Sequence, residues 1–446
     1  MNRNILSGHE LLVSLLVFLI FGSYGSAAIP IEEVLHRFQG GNDGALPEAG
    51  LVADQAGNLY GTTYNGGRES GLCQADDGCG TVFQLKPPAT PGAAWTESVI
   101  YKFGPFAHPA ASLIIDGAGN LYGTTPFAGE FNSGTVFQLK PPATTGGVWT
   151  GKILYSFAGG NDGSEPVAGL VFDKGGNLYG TTQFGGGGPC MIFQQGSGCG
   201  TVFRLTPPSA QGGSWTESVL YSFEPYNDYP AASLILDPQG NLYGSTAGDQ
   251  SASFGTVFQL APPTTQGGFW TQTTLHSFGS VDEDGVTPYA GLTFDKKGNL
   301  YGTTSEGGAD VPECSGTFGC GTIFALERPA DRGGAWKEKV LYAFKHGIDG
   351  ANPESGLIFD CVGNLYGVTG GPRLGFNGTV FKLKPPASQN GAWTEVTLHE
   401  FGNGSDGYEP GGALIFGGRS LLGTTSAGGG NCSFPFSCGI VFEVIP

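Results

Sequence analysis

The chain carries glutamates whose pairing would suit glycoside hydrolysis. Four of them lie next to prolines that recur along the sequence: Glu48, Glu165, Glu354 and Glu409. A glycoside hydrolase uses two carboxyl groups, one as a general acid and the other as a base or nucleophile. If the protein binds a molecule without catalysis, the same glutamates would contact that molecule.

A second set of residue types would suit a lyase reaction. The two connections that depart most from the repeat described below contribute His108, Tyr226, Asp228 and Tyr229. A histidine and a tyrosine near carboxylates are suited to abstracting a proton from a uronic acid. Either Arg68 or Arg373 would neutralise the carboxylate of such a substrate. The catalytic candidates, if the protein is an enzyme, are therefore His108, Tyr226, Asp228 and Tyr229.

Acidic loops also raise the question of calcium. Six connections between repeats carry an aspartate followed by a proline. The repetition favours Asx turns, in which the carboxylate accepts hydrogen bonds from backbone N–H groups two residues on. Calcium prefers several oxygen ligands, and Asp282 and Asp284 lie in the richest acidic segment, which lacks EF-hand or RTX-type spacing. We expect no cofactor, with calcium at these two residues as the alternative.

Histidine and cysteine patterns favour structural roles. The histidines His36, His276 and His399 occupy a position that tyrosine holds in other repeats, and we interpret them as packing residues. No histidine–cysteine cluster has zinc-ligand spacing, and no G-x-S-x-G elbow occurs. Eight cysteines form four local pairs, predicted as disulfides made in an oxidising compartment: Cys73–Cys79, Cys190–Cys199, Cys314–Cys320 and Cys432–Cys438. Cys361 is left as a free thiol.

One repeating stretch, GNLYGTT, must position all of these residues. Clear copies begin at Gly57, Gly119, Gly176, Gly240, Gly298 and Gly363, and a worn copy spans Arg419–Thr425. The period of roughly sixty residues is typical of repeat architectures. Each unit reads as four short apolar strands separated by glycine-rich turns. The sequence therefore predicts an all-β, seven-bladed β-propeller with four antiparallel strands per blade.

The ends of the sequence support a closed ring. The last unit ends on its third strand, Val441–Val444, and Glu33–Phe38 matches the fourth strand of other units. We therefore expect an N-terminal strand to close the last blade, which protects edges that an open array would expose. A β-solenoid is the competing fold, but it would not need an N-terminal strand to complete the last unit.

The strand order sorts the loops onto two faces. The cysteine loops and the connections between blades share the more variable face. Binding sites tend to lie on variable loops held by a rigid scaffold, so we expect the site on this cysteine-loop face, near the mouth of the central channel. Six tryptophans, one in each of the first six units, lie on the other face. We interpret them as packing residues, with an exposed sugar-stacking ring as the alternative.

Charge and the N-terminus limit the partners and the location. The net charge of −18 would repel a phosphate backbone, so nucleic acid is not expected as a partner. Residues 1–28 read as a secretory signal peptide whose apolar core, Leu11–Phe21, is too short to span a bilayer. Residues 29–446 read as a single domain without a transmembrane segment. We expect a secreted monomer, extracellular or periplasmic.

The pattern GNLYGTT…GTVF resembles that of the GloVer-type, or "choice-of-anchor", tandem-repeat secreted bacterial proteins over nearly all of residues 33–444. The core D-x-x-G-N-L-Y is also weakly similar to NHL-type propeller repeats, which bears on the fold only. The resemblance implies a secreted repeat protein and no established activity. Regular repeats, few histidines and no nucleophile motif favour a binding or interaction module for an extracellular glycan or protein. A polysaccharide lyase or glycoside hydrolase at the same channel mouth is the alternative.

Overall fold

The structure is a computed structural model, and most of the chain from Ile31 onward is described. The described residues are 31–67, 73, 78–90, 92–144, 146–187, 198–210, 212–223, 229–248, 253–265, 267–279, 284–308, 314, 319–331, 333–370, 377–388, 391–402, 405–429 and 438–446. The predicted signal peptide lies outside these residues.

Seven antiparallel sheets, each with the four strands of one blade, form a seven-bladed β-propeller, which confirms the predicted fold; a short fifth strand, Tyr229–Pro230, extends one of them. We number the blades 1 to 7 along the chain. The first strands are very short: Val52–Ala53, Ile114–Ile115, Val171–Phe172, Ile235–Leu236, Thr293–Phe294, Ile358–Phe359 and Ile415–Gly417. The second strands carry the repeated stretch: Leu59–Thr63, Leu121–Thr125, Leu178–Thr182, Leu242–Ala247, Leu300–Thr304, Leu365–Thr369 and Ser420–Thr425.

The two remaining strands of each blade are longer. The third strands are Thr81–Lys86, Thr135–Lys140, Thr201–Thr206, Thr256–Ala261, Thr322–Glu327, Thr379–Lys384 and Ile440–Ile445. The outer strands of blades 1 to 6 are Thr96–Lys102, Thr150–Ser156, Thr216–Ser222, Thr271–Ser277, Lys337–Ala343 and Thr394–Glu400. The remaining described elements are three two-residue strands, Tyr229–Pro230, Gly285–Val286 and Glu306–Gly307, and two 3-10 turns, Gly41–Asp43 and Gly160–Asp162. No helix among the described residues has the length and apolar character needed to cross a membrane.

The N-terminal strand closes the ring as the sequence predicts. Ile31–Arg37 pairs antiparallel with Ile440–Ile445 and so becomes the outer strand of blade 7. A second link joins the same two ends, because the buried Thr424 hydroxyl of blade 7 donates to the backbone oxygen of Ala49 in blade 1 over 2.8 Å. Blades 1, 2, 4 and 5 make the equivalent hydroxyl-to-carbonyl bond to the next blade. The junction of the last and first blades is therefore held by the same kind of hydrogen bond that joins neighbouring blades elsewhere in the ring.

The repeated stretch is explained by an aspartate that holds its own turn. Asp54 accepts hydrogen bonds from the Ala56 and Asn58 backbone, from the Asn58 side chain (2.7 Å) and from the Tyr60 hydroxyl (3.0 Å). Burial alone would raise the pKa of Asp54, but these hydrogen bonds outweigh burial and lower it. The same arrangement recurs at Asp116, Asp173, Asp237, Asp295 and Asp360. The motif Asp-x-x-Gly-Asn-x-Tyr thus forms a turn whose polar groups hydrogen-bond to one another, at the start of the second strand in six blades.

The glycine inside each copy makes room for an aromatic core. A Cβ on Gly61 would lie 2.5 Å from the Phe83 ring of the facing third strand. Phe83 is fully buried and packs edge-on against Phe38 from the outer strand of the preceding blade, with centroids 5.0 Å apart. This pairing of phenylalanines recurs between blades. The core therefore lies between the sheets, as strands that are apolar on both faces require.

The cysteine pairing is confirmed where the structure describes both partners. Cys73–Cys79 and Cys314–Cys320 are disulfides with Cα separations of 5.2 and 5.6 Å. Cys199 and Cys438 are also disulfide-bonded, and their predicted partners, Cys190 and Cys432, lie outside the described residues. Cys361 is free and exposed. The cysteines thus shape the loops on one face.

Candidate functional site at the channel mouth

A repeated backbone feature carries each connection to the central channel. The residue before the connection proline has a positive φ in six blades: Leu46, His108, Glu165, Thr287, Asn352 and Glu409. In Glu409 the N–H bonds to Asn377 of the preceding blade and the carbonyl accepts from Ser426 of its own blade. A non-glycine residue rarely adopts this conformation, least of all before proline. These bonds hold the left-handed residue in place and direct the chain after the proline to the channel.

The residues after the prolines form a ring around a cavity of about 400 Å³. Small backbone-rich segments of all seven blades line this cavity. The ring residues differ from blade to blade: Glu48, Ala110, Val167, Ala231, Tyr289, Glu354 and Gly411. The repeat symmetry is therefore broken where the channel opens.

The acidic members of the site lie on consecutive blades, 6, 7 and 1. Glu48 and Glu354 line the cavity. Glu409 accepts a hydrogen bond from the Ser426 hydroxyl over 3.1 Å. Desolvation within the channel mouth, and then the nearby charge of Glu409, raise the pKa of Glu48 to about 7. The structure thus places Glu48 and Glu354 on one cavity, with Glu409 outside the cavity lining but near enough to act on Glu48 through its charge.

A tyrosine pair lies on blades 4 and 5, across the ring from Glu48. The hydroxyls of Tyr229 and Tyr289 are 3.0 Å apart. Tyr229 is buried and extends the sheet of blade 4, whereas Tyr289 lines the cavity. Tyr229 was among the candidates predicted from the sequence, and Tyr289 was not. The signal for Tyr289 was its place directly after a connection proline, where Glu48 and Glu354 also stand.

Two other sequence candidates have mainly structural surroundings. His108 is buried, its Nδ1 lies 3.1 Å from the Tyr64 carbonyl oxygen, and its ring stacks on that of Tyr64. Glu165 precedes its proline and is outside the cavity lining, and burial raises its pKa. His108 and Tyr229 begin blades 2 and 4, so the described contacts do not bring them together. The lyase assignment stays a prediction, because Arg68, Tyr226, Asp228, Arg373 and also the calcium candidate Asp282 lie outside the described residues.

The connection aspartates bind in a way that differs from the Asx turns expected. Asp43 accepts a hydrogen bond from the N–H of Gln39, four residues earlier, over 2.8 Å. Equivalent bonds occur at Asp162, Asp349 and Asp406. These four carboxylates and that of Asp284 also face the tyrosine or histidine near the end of the preceding outer strand: Tyr155, Tyr342, His36, His276 and His399. The carboxylate therefore ties the outer strand to its connection, which a turn closing two residues later would not do.

A glutamate of the following blade completes each of these contacts. Glu217 of blade 3 lies near Asp162, and burial followed by the Asp162 charge raises the pKa of Glu217 to about 7. Glu32, Glu97, Glu338 and Glu395 occupy the same position at other interfaces. These glutamates were not among the candidates predicted from the sequence, although the tripeptide Trp-Thr-Glu marks three of them: Glu97, Glu217 and Glu395. Blade 2 has Gly151 instead, and the connection before it, Gly104–Pro109, lacks the aspartate.

The tryptophans pack between blades. Trp149 of blade 2 contacts Tyr60 of blade 1 with ring centroids 5.8 Å apart, and Trp270 contacts Tyr179 at 6.3 Å. The other four also pack against buried clusters: Trp95, Trp215, Trp336 and Trp393. This supports their interpretation as packing residues.

A family model described as the Gloeobacter/Verrucomicrobia repeat matches residues 26–193, 73–312 and 190–442. The chain belongs to this repeat family. The match confirms the resemblance that the GNLYGTT…GTVF pattern indicates. No curated protein matches the sequence.

Some solved structures are similar in fold to this member of the repeat family. A fungal alcohol oxidase of the AA5 family in complex with copper has a TM-score of 0.55 and 14% identity, covering 94% of this chain and 76% of the other. An ulvan lyase of family PL25, bound to -[GlcA(1-4)Rha3S]-, has a TM-score of 0.50 and 11% identity, covering 92% of each chain. A PQQ-bound aldose sugar dehydrogenase from Streptomyces coelicolor has a TM-score of 0.40 and 15% identity, covering 94% and 99%. For the alcohol oxidase and the ulvan lyase, at 14% and 11% identity, the likeness extends to the propeller architecture alone.

Proposed function

We propose that this protein is a secreted module that binds an extracellular glycan at the channel mouth. One observation carries the proposal: Glu48, Glu354 and Tyr289 line a single cavity of about 400 Å³. Carboxylates accept hydrogen bonds from sugar hydroxyls, and an aromatic side chain offers an apolar body with a polar tip. The disulfides and the predicted signal peptide support export to an oxidising compartment.

The charge at the mouth favours a neutral or amino sugar over an acidic one. Three glutamates on adjoining blades, in a chain of net charge −18, would repel a uronate or a sulfate. An amino sugar would add a charge-assisted hydrogen bond to a glutamate. A protein segment with a basic side chain is the other ligand of suitable charge.

Binding is tested by calorimetric titration of the purified protein with neutral, amino and uronic oligosaccharides. We expect binding of a neutral or amino sugar, and Glu354→Gln should weaken it at least about tenfold, since a ligand hydrogen bond to a charged group contributes about 1.5–3 kcal/mol. Glu165→Gln is the matched control, because Glu165 is outside the cavity lining. Equal loss of affinity in both variants, or binding of uronic oligosaccharides alone, would contradict the proposal.

Glycoside hydrolysis is the second candidate, and it rests on the raised pKa of Glu48. A carboxyl group that holds a proton near pH 7 beside a second carboxylate is what an acid–base pair needs. Glu48 would then donate a proton to the leaving group. The base or nucleophile would be Glu354, which lines the same cavity, or Glu409, whose charge acts on Glu48. New reducing ends released by the wild type, and lost in Glu48→Gln while binding persists, would make the protein a hydrolase.

A further inference from the structure

We propose that His36, Asp43 and Glu97 form a site for a divalent transition-metal ion, best matched by zinc, at the closure of the ring. Ligand atoms of the three side chains lie within 4.8 Å of one another. Nitrogen and oxygen ligands from one histidine and two carboxylates suit zinc, with a fourth position left for water. This proposal is independent of the glycan site.

The three residues come from three elements that meet only at the closure. His36 lies on the N-terminal strand, which is the outer strand of blade 7, and Glu97 lies on the outer strand of blade 1. Asp43 belongs to the connection between them. A bulge at Leu35 precedes His36 in the pairing with the third strand of blade 7. A bound ion would fasten the closing strand to the first blade.

The spacing within the cluster fits a shared ion better than a direct hydrogen bond. His36 Nε2 lies 3.5 Å from Asp43 Oδ2. Two ligands about 2.0–2.1 Å from a tetrahedral zinc are about 3.4 Å apart. The buried atoms His36 Nε2 and Glu97 Oε1 have no hydrogen-bond partner. The Gln39 N–H bonded to Asp43 orients that carboxylate, as an outer-shell donor would.

The chain contains its own comparison. At the blade 2–3 interface, tyrosine replaces histidine, and the Tyr155 hydroxyl donates to Asp162 over 2.7 Å. Tyr342 does the same to Asp349 over 2.9 Å. The interfaces with histidine show longer separations of 3.4 Å at His276–Asp284 and 3.3 Å at His399–Asp406, and both Nε2 atoms are again without a hydrogen-bond partner.

A second interface repeats the ligand types with a more buried carboxylate. The Asp284 side chain is 1% exposed, its Oδ2 has no hydrogen-bond partner, and Glu338 of blade 5 lies near it. Lys102 lies near the first site: its ammonium donates to Asn42 Oδ1, and its charge favours the ionised form of Glu97. The wild type is therefore expected to bind at least one zinc ion.

The test is zinc binding by the full mature chain, stripped of metal by a chelator and measured by calorimetry and thermal unfolding. All proteins carry Cys361→Ser, because an exposed thiol binds zinc. We expect zinc to raise the melting temperature of the parent protein. The variant His36→Tyr recreates the Tyr–Asp–Glu interface that the fold already uses, so it should fold, bind one zinc ion fewer and lose part of the zinc-dependent stabilisation.

Two further variants make the result decisive. Glu97→Gln should weaken zinc binding at the first site at least about tenfold, and it covers the case in which His36→Tyr fails to fold. The reverse change Tyr155→His should add one zinc ion by completing a His–Asp–Glu set with Asp162 and Glu217. No zinc binding by the parent, or unchanged stoichiometry and affinity in both His36→Tyr and Glu97→Gln, would overturn the proposal.

Discussion

A shift of one residue along a connection decides whether a glutamate lines the channel. Glu48 and Glu354 follow their prolines and line the cavity, whereas Glu165 and Glu409 precede theirs and take the left-handed conformation. The backbone of such a left-handed residue hydrogen-bonds to two blades, and these bonds fix the direction of its side chain. The glutamates of the site are thus selected by backbone geometry as much as by residue type.

A single glutamate at a blade interface gives a pH-dependent stability. Burial, and then Asp162, raise the pKa of Glu217 from 4.5 to about 7 in the folded chain. The folded state therefore holds this proton more tightly than the unfolded chain does. The resulting stabilisation is fully present below pH 4.5 and is lost as the pH rises through 7.

Glu217→Gln removes this loss, because the amide never ionises. We expect the variant to be more stable than the wild type at pH 8 by about 1 kcal/mol, a value that allows for screening at a half-buried site, and to match it at pH 4.5. Thermal unfolding at the two pH values measures the difference. The exposed Glu130→Gln is the control and should show no such change. A variant no more stable than wild type at pH 8 would contradict the assignment.

At the level of the element, each third strand is immediately preceded by a glycine that the neighbouring blade requires. Gly200 has φ +97°, and a Cβ there would collide with the Thr182 carbonyl oxygen and lie 2.9 Å from the Pro230 ring. Gly80, Gly134, Gly255, Gly321, Gly378 and Gly439 meet a connection proline in the same way. The glycine of GTVF therefore sets the distance between a blade and the next connection.

Gly200→Ala should be costly for two reasons, the positive φ and the collision with backbone. We expect a loss of at least about 3 kcal/mol in the free energy of unfolding. Gly212→Ala is the matched control, since Gly212 has φ +85° but open space around it. It should cost only about 1 kcal/mol. Denaturant unfolding of both variants measures this; equal losses would show that the close packing contributes nothing.

At the level of the whole molecule, the fold was predictable because it rests on local signals that recur. The Asp54 turn, the Gly61–Phe83 fit and the match of Glu33–Phe38 to an outer strand are all readable in the sequence. The site was only partly predictable, since it depends on which residues seven separate connections bring to one axis. Tyr289 and interface glutamates such as Glu217 meet their partners only when neighbouring blades pack together, and Glu97 meets His36 only when the ring closes.

The closure itself is open to a direct test. Thr424 Oγ1 is buried and donates to Ala49 across the junction of the last and first blades. Thr424→Val should leave that carbonyl unsatisfied and lower the free energy of unfolding by about 1–2 kcal/mol. Valine fits sterically, because Val368 holds the same position in blade 6.

Thr181 provides the control for this prediction. It occupies the equivalent position in blade 3, but its buried hydroxyl has no hydrogen-bond partner. Thr181→Val therefore removes no bond and relieves an unsatisfied polar atom, so its stability should equal or exceed that of the wild type. Denaturant unfolding of the two variants compares one change with and without the closing bond. If both variants lose the same stability, the Thr424–Ala49 bond does not hold the ring closed.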